Sequence, residues 1–139
     1  QLVTWLNTSP NGAAGTVYYA VNFTDIGNVC TLRGYAGVSA VSQDGHQLGS
    51  AARRNPGRVR TFTLSGGATA ASTVHATVGI VEAGNYPAAS CHPATASGLR
   101  VYAPNQSSAR FLPYPFAACS SRRPSLLSVS PLAAGAGLR

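Results

Sequence analysis

A strict alternation of residue types between Thr16 and Thr24 constrains this chain more than any other feature. Val17, Tyr19, Val21 and Phe23 fall on one side of an extended backbone, and Thr16, Tyr18, Ala20, Asn22 and Thr24 fall on the other. A period of two is the mark of a strand with one face buried. The same period returns from Ala68 onward. Ala70, Val74, Ala76, Val78 and Ile80 share one face, and Thr69, Thr73, His75 and Thr77 share a Thr-rich face expected to meet solvent. No segment carries the roughly 3.6-residue period of an amphipathic helix.

The remaining segments fit around these two strands. Leu2 to Leu6 is a short strand candidate with the only tryptophan, Trp5, read as a core anchor, and it ends at the turn-rich Ser9, Pro10, Asn11 and Gly12. Asp25, Gly27 and Asn28 close the first alternating strand. Cys30 opens the next, which runs to Val41 across Gly34 and Gly37, where glycine signals a bulge or the close approach of another backbone. Asp44 and Gly45 give the strongest hairpin signal, expected as a type I′ turn. A short strand over His46 to Ala52 leads to a basic loop, Arg53 to Arg58, and then to a strand over Val59 to Leu64. Ala83 to Ser97 reads as a linker, Leu99 and Val101 resume a strand, and Pro104 and Asn105 turn it. Arg110 to Tyr114 is expected on a sheet edge, because Pro113 and Pro115 cannot donate to a ladder. Leu126 to Val129 is the last strand, and the Ala/Gly-rich residues 132–139 read as a flexible tail. About seven to nine short strands separated by turns predict an all-β chain, an antiparallel immunoglobulin-like β-sandwich forming one domain over residues 1–131.

Charge adds a statement about association rather than fold. Three acids, Asp25, Asp44 and Glu82, face ten bases, every one an arginine. An arginine-only base set with abundant Ala and Gly is accounted for by a GC-rich genome. A net charge of +7 also favours anionic partners. No apolar run approaches the roughly 20 residues that span a bilayer as a helix. The chain starts at Gln1 without an initiator Met, as expected of a product from which a signal peptide, lipoprotein anchor or leader has been removed.

Three cysteines in a small, loop-rich chain point to an oxidising compartment, with one bridge and one orphan. None sits in a CxxC pair, so a zinc ribbon or a thioredoxin-type redox motif has no support. Counting strands up and down places Cys30, Cys91 and Cys119 at one end of the sandwich. The expected internal pair is Cys30 with Cys91, leaving Cys119 to a partner upstream of Gln1.

A family likeness is carried by AAGTVYYAVNFTDIGNVCTLRGYAGVSAVSQDGHQLG, then a strand, a Gly-Gly turn and a long strand, then CHPATASGLRVYAPN and a final cysteine. These residues resemble the actinobacterial extracytoplasmic domain of unknown function 4232, over about Ala13 to Val129. The most specific parts are CTLRGYAGV and LRVYAP with a cysteine several residues before it. The resemblance implies a secreted protein or lipoprotein with a four-cysteine, immunoglobulin-like sandwich and an envelope location, and it supplies no activity. The early cysteine of that pattern is missing here.

Site chemistry narrows the function by what it lacks. His46, His75 and His92 are available for a triad, yet no GxSxG elbow or other nucleophile motif surrounds a serine. Three acids confined to turns and a loop do not form paired carboxylates, so no enzyme activity, catalytic residue or cofactor is expected. A metal site would need His and Cys ligands close together. The chain has no HxH pair and no methionine, and Cys91 and His92 diverge on an extended backbone. A recognition helix or an RNP-like aromatic pattern is absent, so nucleic acid is not an expected partner. Arg53, Arg54, Arg58 and Arg60, with Tyr35, are the candidate binding residues. Their expected partner is an anionic envelope polymer, a lipid headgroup or an envelope protein, including as a subunit of a larger complex. The alternative is a metal-binding or redox-linked envelope protein.

Overall fold

A computed structural model describes residues 2–67 and 70–137. The alternating strands predicted from the sequence form the centre of one sheet. β1 (Leu2–Ala13), β2 (Thr16–Asp25), β8 (Thr73–Val81), β11 (Leu127–Val129) and β6 (Arg53–Arg54) pair in that order, with β12 (Ala133–Ala134) also on β8. A second sheet runs β10 (Ala109–Cys119), β9 (Pro93–Tyr102), β4 (Gly37–Val41) and β5 (Gln47–Leu48). A two-stranded ribbon, β3 (Cys30–Arg33) with β7 (Thr61–Leu64), completes an all-β sandwich. The pairs are antiparallel except for β11 with β6, which is parallel.

The core is the apolar side of each alternation brought face to face. Val21, Phe23, Val74 and Val78 of the first sheet meet Val38, Ala40, Leu99 and Val101 of the second, with Leu32 and Leu64 from the ribbon. A fully buried side chain of this size contributes about 1.5–3 kcal/mol. This cluster is therefore the main source of stability.

Several elements differ from expectation for identifiable reasons. The first strand does not stop at Pro10. It continues to Ala13 across a register shift between Asn7 and Asn11, which an edge strand tolerates because its outer donors need no partner. Its turn falls at Ala14 and Gly15 (φ 85°). Trp5 is not in the core. It lies on the outer side of β1, 39% exposed, with Nε1 donating to Thr24 Oγ1 at 3.1 Å. The stretch from Cys30 to Val41 is two strands, because Gly34 at φ 107° ends β3 and frees β4 to join the other sheet. At the β4–β5 hairpin only Gly45 (φ 81°) takes a left-handed conformation, and Gly45 N–H donates to Ser42 O at 2.9 Å. That is a longer loop than a type I′ turn. Ala70 belongs to a single 3-10 turn, Ala70–Ser72, and Ala68 and Thr69 lie outside the described residues. The expected linker is a 3-10 turn (Ala83–Asn85), one helical turn, α1 (Ala88–Cys91), and the start of β9.

The largest departure concerns residues 132–139, expected as a flexible tail. As far as residue 137 they are docked. Leu132 is 4% exposed, Ala133 pairs with His75, and Gly135 N–H donates to Thr73 O at 2.9 Å. Gly137 crosses the sheet, donating to Asn22 Oδ1 at 2.8 Å and accepting from Asn7 Nδ2 at 3.0 Å. A Cβ on Gly137 would stand 2.5 Å from the Ala20 Cβ, so only glycine fits this crossing. The strap covers the Thr-rich face expected to be solvated, and Asn22 and Thr73 are buried beneath it.

Candidate functional site

Of the predicted basic residues, Arg60 lies at one end of the β3–β7 ribbon and Arg54 is joined to that end through Tyr35. Arg33 lies opposite Thr61 in the ladder and donates from Nη1 to Thr61 Oγ1 at 3.1 Å. Arg60, the next residue along, sits 4.9 Å over the Phe62 ring. Tyr35, just beyond β3, donates its hydroxyl to the Asn55 carbonyl at 2.5 Å, and the Arg54 guanidinium lies 5.1 Å over its ring. Each ring contact holds an exposed guanidinium by about 0.5–1 kcal/mol, enough to bias its position. Arg53 points away from Arg54, as consecutive strand residues must. Arg58 is exposed in the loop, and among the described residues neither it nor Arg53 lies over a ring.

Sequence reasoning grouped Arg53, Arg54, Arg58, Arg60 and Tyr35 and missed Arg33. Its signal was the CTLRGY segment itself, which places a base two residues before Tyr35. No acid opposes this surface. Asp44 is at the β4–β5 hairpin, Glu82 follows β8, and Asp25 is buried at the end of β2, where its Oδ1 accepts from Gly27 N–H at 2.9 Å.

Two concavities lie elsewhere. One, about 280 Å³, opens between the sheets beside Val17, Ile80, Glu82 and Phe116, and is floored by Tyr19 and Tyr114. The two phenols are hydrogen-bonded to each other, with ring centroids 4.8 Å apart and edge-to-face. Burial, then the Tyr114 hydrogen bond and charge, push the Tyr19 phenol well above its ordinary pKa. Tyr19 therefore stays neutral at physiological pH. The second, about 330 Å³, lies on the outer face of the β10–β9–β4 sheet, between Arg100, Ala109, Phe111, Val41 and the Ser42–Gly45 loop.

The cysteine expectation needs correction. The bridge joins Cys91 and Cys119, with Cα atoms 4.7 Å apart, and Cys30 is free. Neither the Cys30–Cys91 pair nor an upstream partner for Cys119 is compatible with this bond. The reason is the β9–β10 hairpin, whose register sets Pro93 opposite Cys119 and so brings Cys91, two residues earlier, to the same place. Ser120 N–H to His92 O (3.0 Å) and Ser121 N–H to Cys91 O (3.2 Å) continue the zip. Cys30 is held in the ribbon opposite Leu64.

The histidines do not converge. His46 is exposed beside its hairpin, His75 Nδ1 is 2.8 Å from the Gly135 carbonyl, and His92 caps α1 with its Nδ1 2.5 Å from Ser121 Oγ. Among the described residues no three His, Cys, Asp or Glu side chains are grouped to hold a metal, and no helix is long and apolar enough to cross a membrane.

No curated protein and no solved structure matches the chain. A family match covers residues 3–133, nearly its whole length, from the outer strand β1 to the first residue of β12. The chain belongs to the family described as Domain of unknown function (DUF4232).

Proposed function

We propose that this domain is a non-catalytic, extracytoplasmic binding module that holds an anionic polymer of the cell envelope on its arginine surface. The observation that carries this reading is that Arg33, on one face of the ribbon end, and Arg60, on the other, are each held by a neighbour, Thr61 and Phe62, with Arg54 held over the nearby Tyr35 and none of the chain's three acids at that end. Guanidinium forks suit phosphate and carboxylate groups repeated along a polymer. The Cys91–Cys119 bridge supports an oxidising compartment.

The test is a pull-down on isolated envelope material from low salt to roughly 0.3 M, where exposed-charge attraction is heavily screened. The variant R33Q/R54Q/R60Q is run beside the parent. Retention that survives salt in the parent and is lost in the variant supports a positioned site. Equal retention of the two proteins overturns it. Loss of retention after lipid extraction or protease treatment of the envelope material reassigns the partner to a headgroup or an envelope protein.

A further inference from the structure

We infer that the outer face of the β10–β9–β4 sheet carries a second site, independent of the arginine ribbon, for a small organic carboxylate with a flat apolar body. Three features converge there. Arg100 emerges near the C-terminal end of β9, opposite Phe111 on β10 and Ser39 on β4. Its Nη2 donates to Gln47 Oε1 at 2.8 Å, which fixes the plane of the guanidinium. Its Nε is shielded from solvent and has no hydrogen-bond partner among the described residues. A charged donor sheltered without an acceptor is unfavourable until an anion supplies one.

Phe111 forms the apolar wall. It is 51% exposed, which is unusual for a phenylalanine on a sheet whose other face is core. Its ring approaches the backbone of β9 closely because residue 98 is glycine. A Cβ there would come within 2.9 Å of the ring Cε1 and Cζ atoms. The ring is thus laid beside Arg100 along the sheet, and Val41, Ala109 and the Ser42–Gly45 loop close the other sides.

The concavity of about 330 Å³ is at the small end of the range for small-molecule sites, roughly 300–1,000 Å³. Among the described residues its only charged lining residue is Arg100. Asp44, at the loop tip, is exposed and does not line it. A planar carboxylate matches the guanidinium fork, and an aromatic or aliphatic body matches Phe111. Admitting the carboxylate to the Nε edge requires a side-chain rotation at the cavity wall, so the expected affinity is modest.

The probe is 3-phenylpropanoate, titrated into the ¹⁵N-labelled domain and compared with 3-phenylpropanol and acetate. The expected result is saturable shifts at Gly45, Ala109 and the Arg100 Nε–H with 3-phenylpropanoate. Binding of the alcohol and of acetate should be at least tenfold weaker. R100Q should lose at least tenfold in affinity, and R33Q/R54Q/R60Q should lose none, which separates this site from the polymer surface. The inference is overturned if the neutral alcohol binds as well as the carboxylate. It is equally overturned if the shifts fall on Arg54 and Arg60 instead, or if none saturates by about 20 mM. The parent protein alone decides these three outcomes, so a poorly folded R100Q does not protect the idea.

Discussion

Replacing both bridged cysteines, C91A/C119A, tests the covalent framework and gives a magnitude worked from chain length. The bond closes a loop of sequence separation 28. Loop-closure entropy for that length contributes about 3.5 kcal/mol at 25 °C by constraining the unfolded chain. Both half-cystines are buried, packed with Ala83 and Leu126, so their removal also costs some packing. With a urea slope near 2 kcal/mol/M for a domain of this size, the midpoint should fall by about 1.5–2 M. Reduced parent protein should drop to nearly the same midpoint. C30A is the control. Cys30 is only half-buried in the ribbon, so C30A should cost under about 1 kcal/mol and leave the response to reductant intact. Peptide mapping under non-reducing conditions identifies the bonded pair directly. If C30A destabilises the oxidised protein by more than about 2 kcal/mol while C119A is neutral, the bridge is Cys30–Cys91 and the register argument fails. If reductant leaves the parent's midpoint unchanged, the entropic argument fails instead.

Three further outcomes follow from individual contacts. G98A should destabilise by about 3 kcal/mol in chemical unfolding, because its Cβ would stand 2.2 Å from the Leu112 carbonyl oxygen and β10 would have to move off β9. Deleting residues 132–139 removes the buried Leu132 and takes from Asn22 the Gly137 N–H that its Oδ1 accepts. A loss of about 3–5 kcal/mol and faster exchange of the β8 amides are expected by thermal melting and hydrogen exchange. A tail that contributes nothing would leave both unchanged. Burial and then Tyr114 raise the Tyr19 phenol in the folded state. The folded chain therefore keeps a proton that the unfolded chain releases above about pH 10, and stability should fall as pH rises past that point. Y114F should bring the Tyr19 tyrosinate transition at 295 nm down toward that of exposed tyrosines, and an unchanged transition would refute the assignment.

Alternation legible in the sequence located both central strands and their inward residues, since Val21, Phe23, Val74 and Val78 are in the core. It also placed Arg110 to Tyr114 on an edge, because β10 ends its sheet and its register slips between Pro113 and Phe116. What periodicity could not show is what covers the second face of a strand. Asn22 and Thr73 read as solvated by residue type, yet they are buried by a strap of Ala and Gly that has almost no hydrophobic signal of its own. Trp5 failed for the opposite reason. Its apolar bulk suggested a core, but its position on β1 puts it on the outer face, where the indole N–H is satisfied by Thr24.

The functional residues follow the same logic at longer range. Arg54 and Tyr35 were legible as a pair of types, but their contact depends on the Tyr35–Asn55 hydrogen bond, which no spacing rule predicts. The bridge was within reach: a turn recognised at Pro104 and Asn105 folds residue 93 onto 119, and Cys91 must then meet Cys119. Strand parity missed it because Cys30 was assigned to one continuous strand through Gly34. The positive φ at Gly34 diverts β3 into the ribbon and β4 into the second sheet. That one backbone conformation keeps Cys30 in the ribbon, sets Arg33 opposite Thr61 and brings Tyr35 under Arg54. It also delivers β4 to the sheet whose outer face holds Arg100. Substituting Gly34 by a β-branched residue would therefore disturb the ribbon site and the hinge between the sheets together, although a Cβ there meets no atom within 4 Å. The penalty lies in the dihedral rather than in a clash, about 1–2 kcal/mol for an L-residue held left-handed. G34V should thus weaken polymer retention and lower stability by that amount, while G34A, with the smaller side chain, shows the milder form of both.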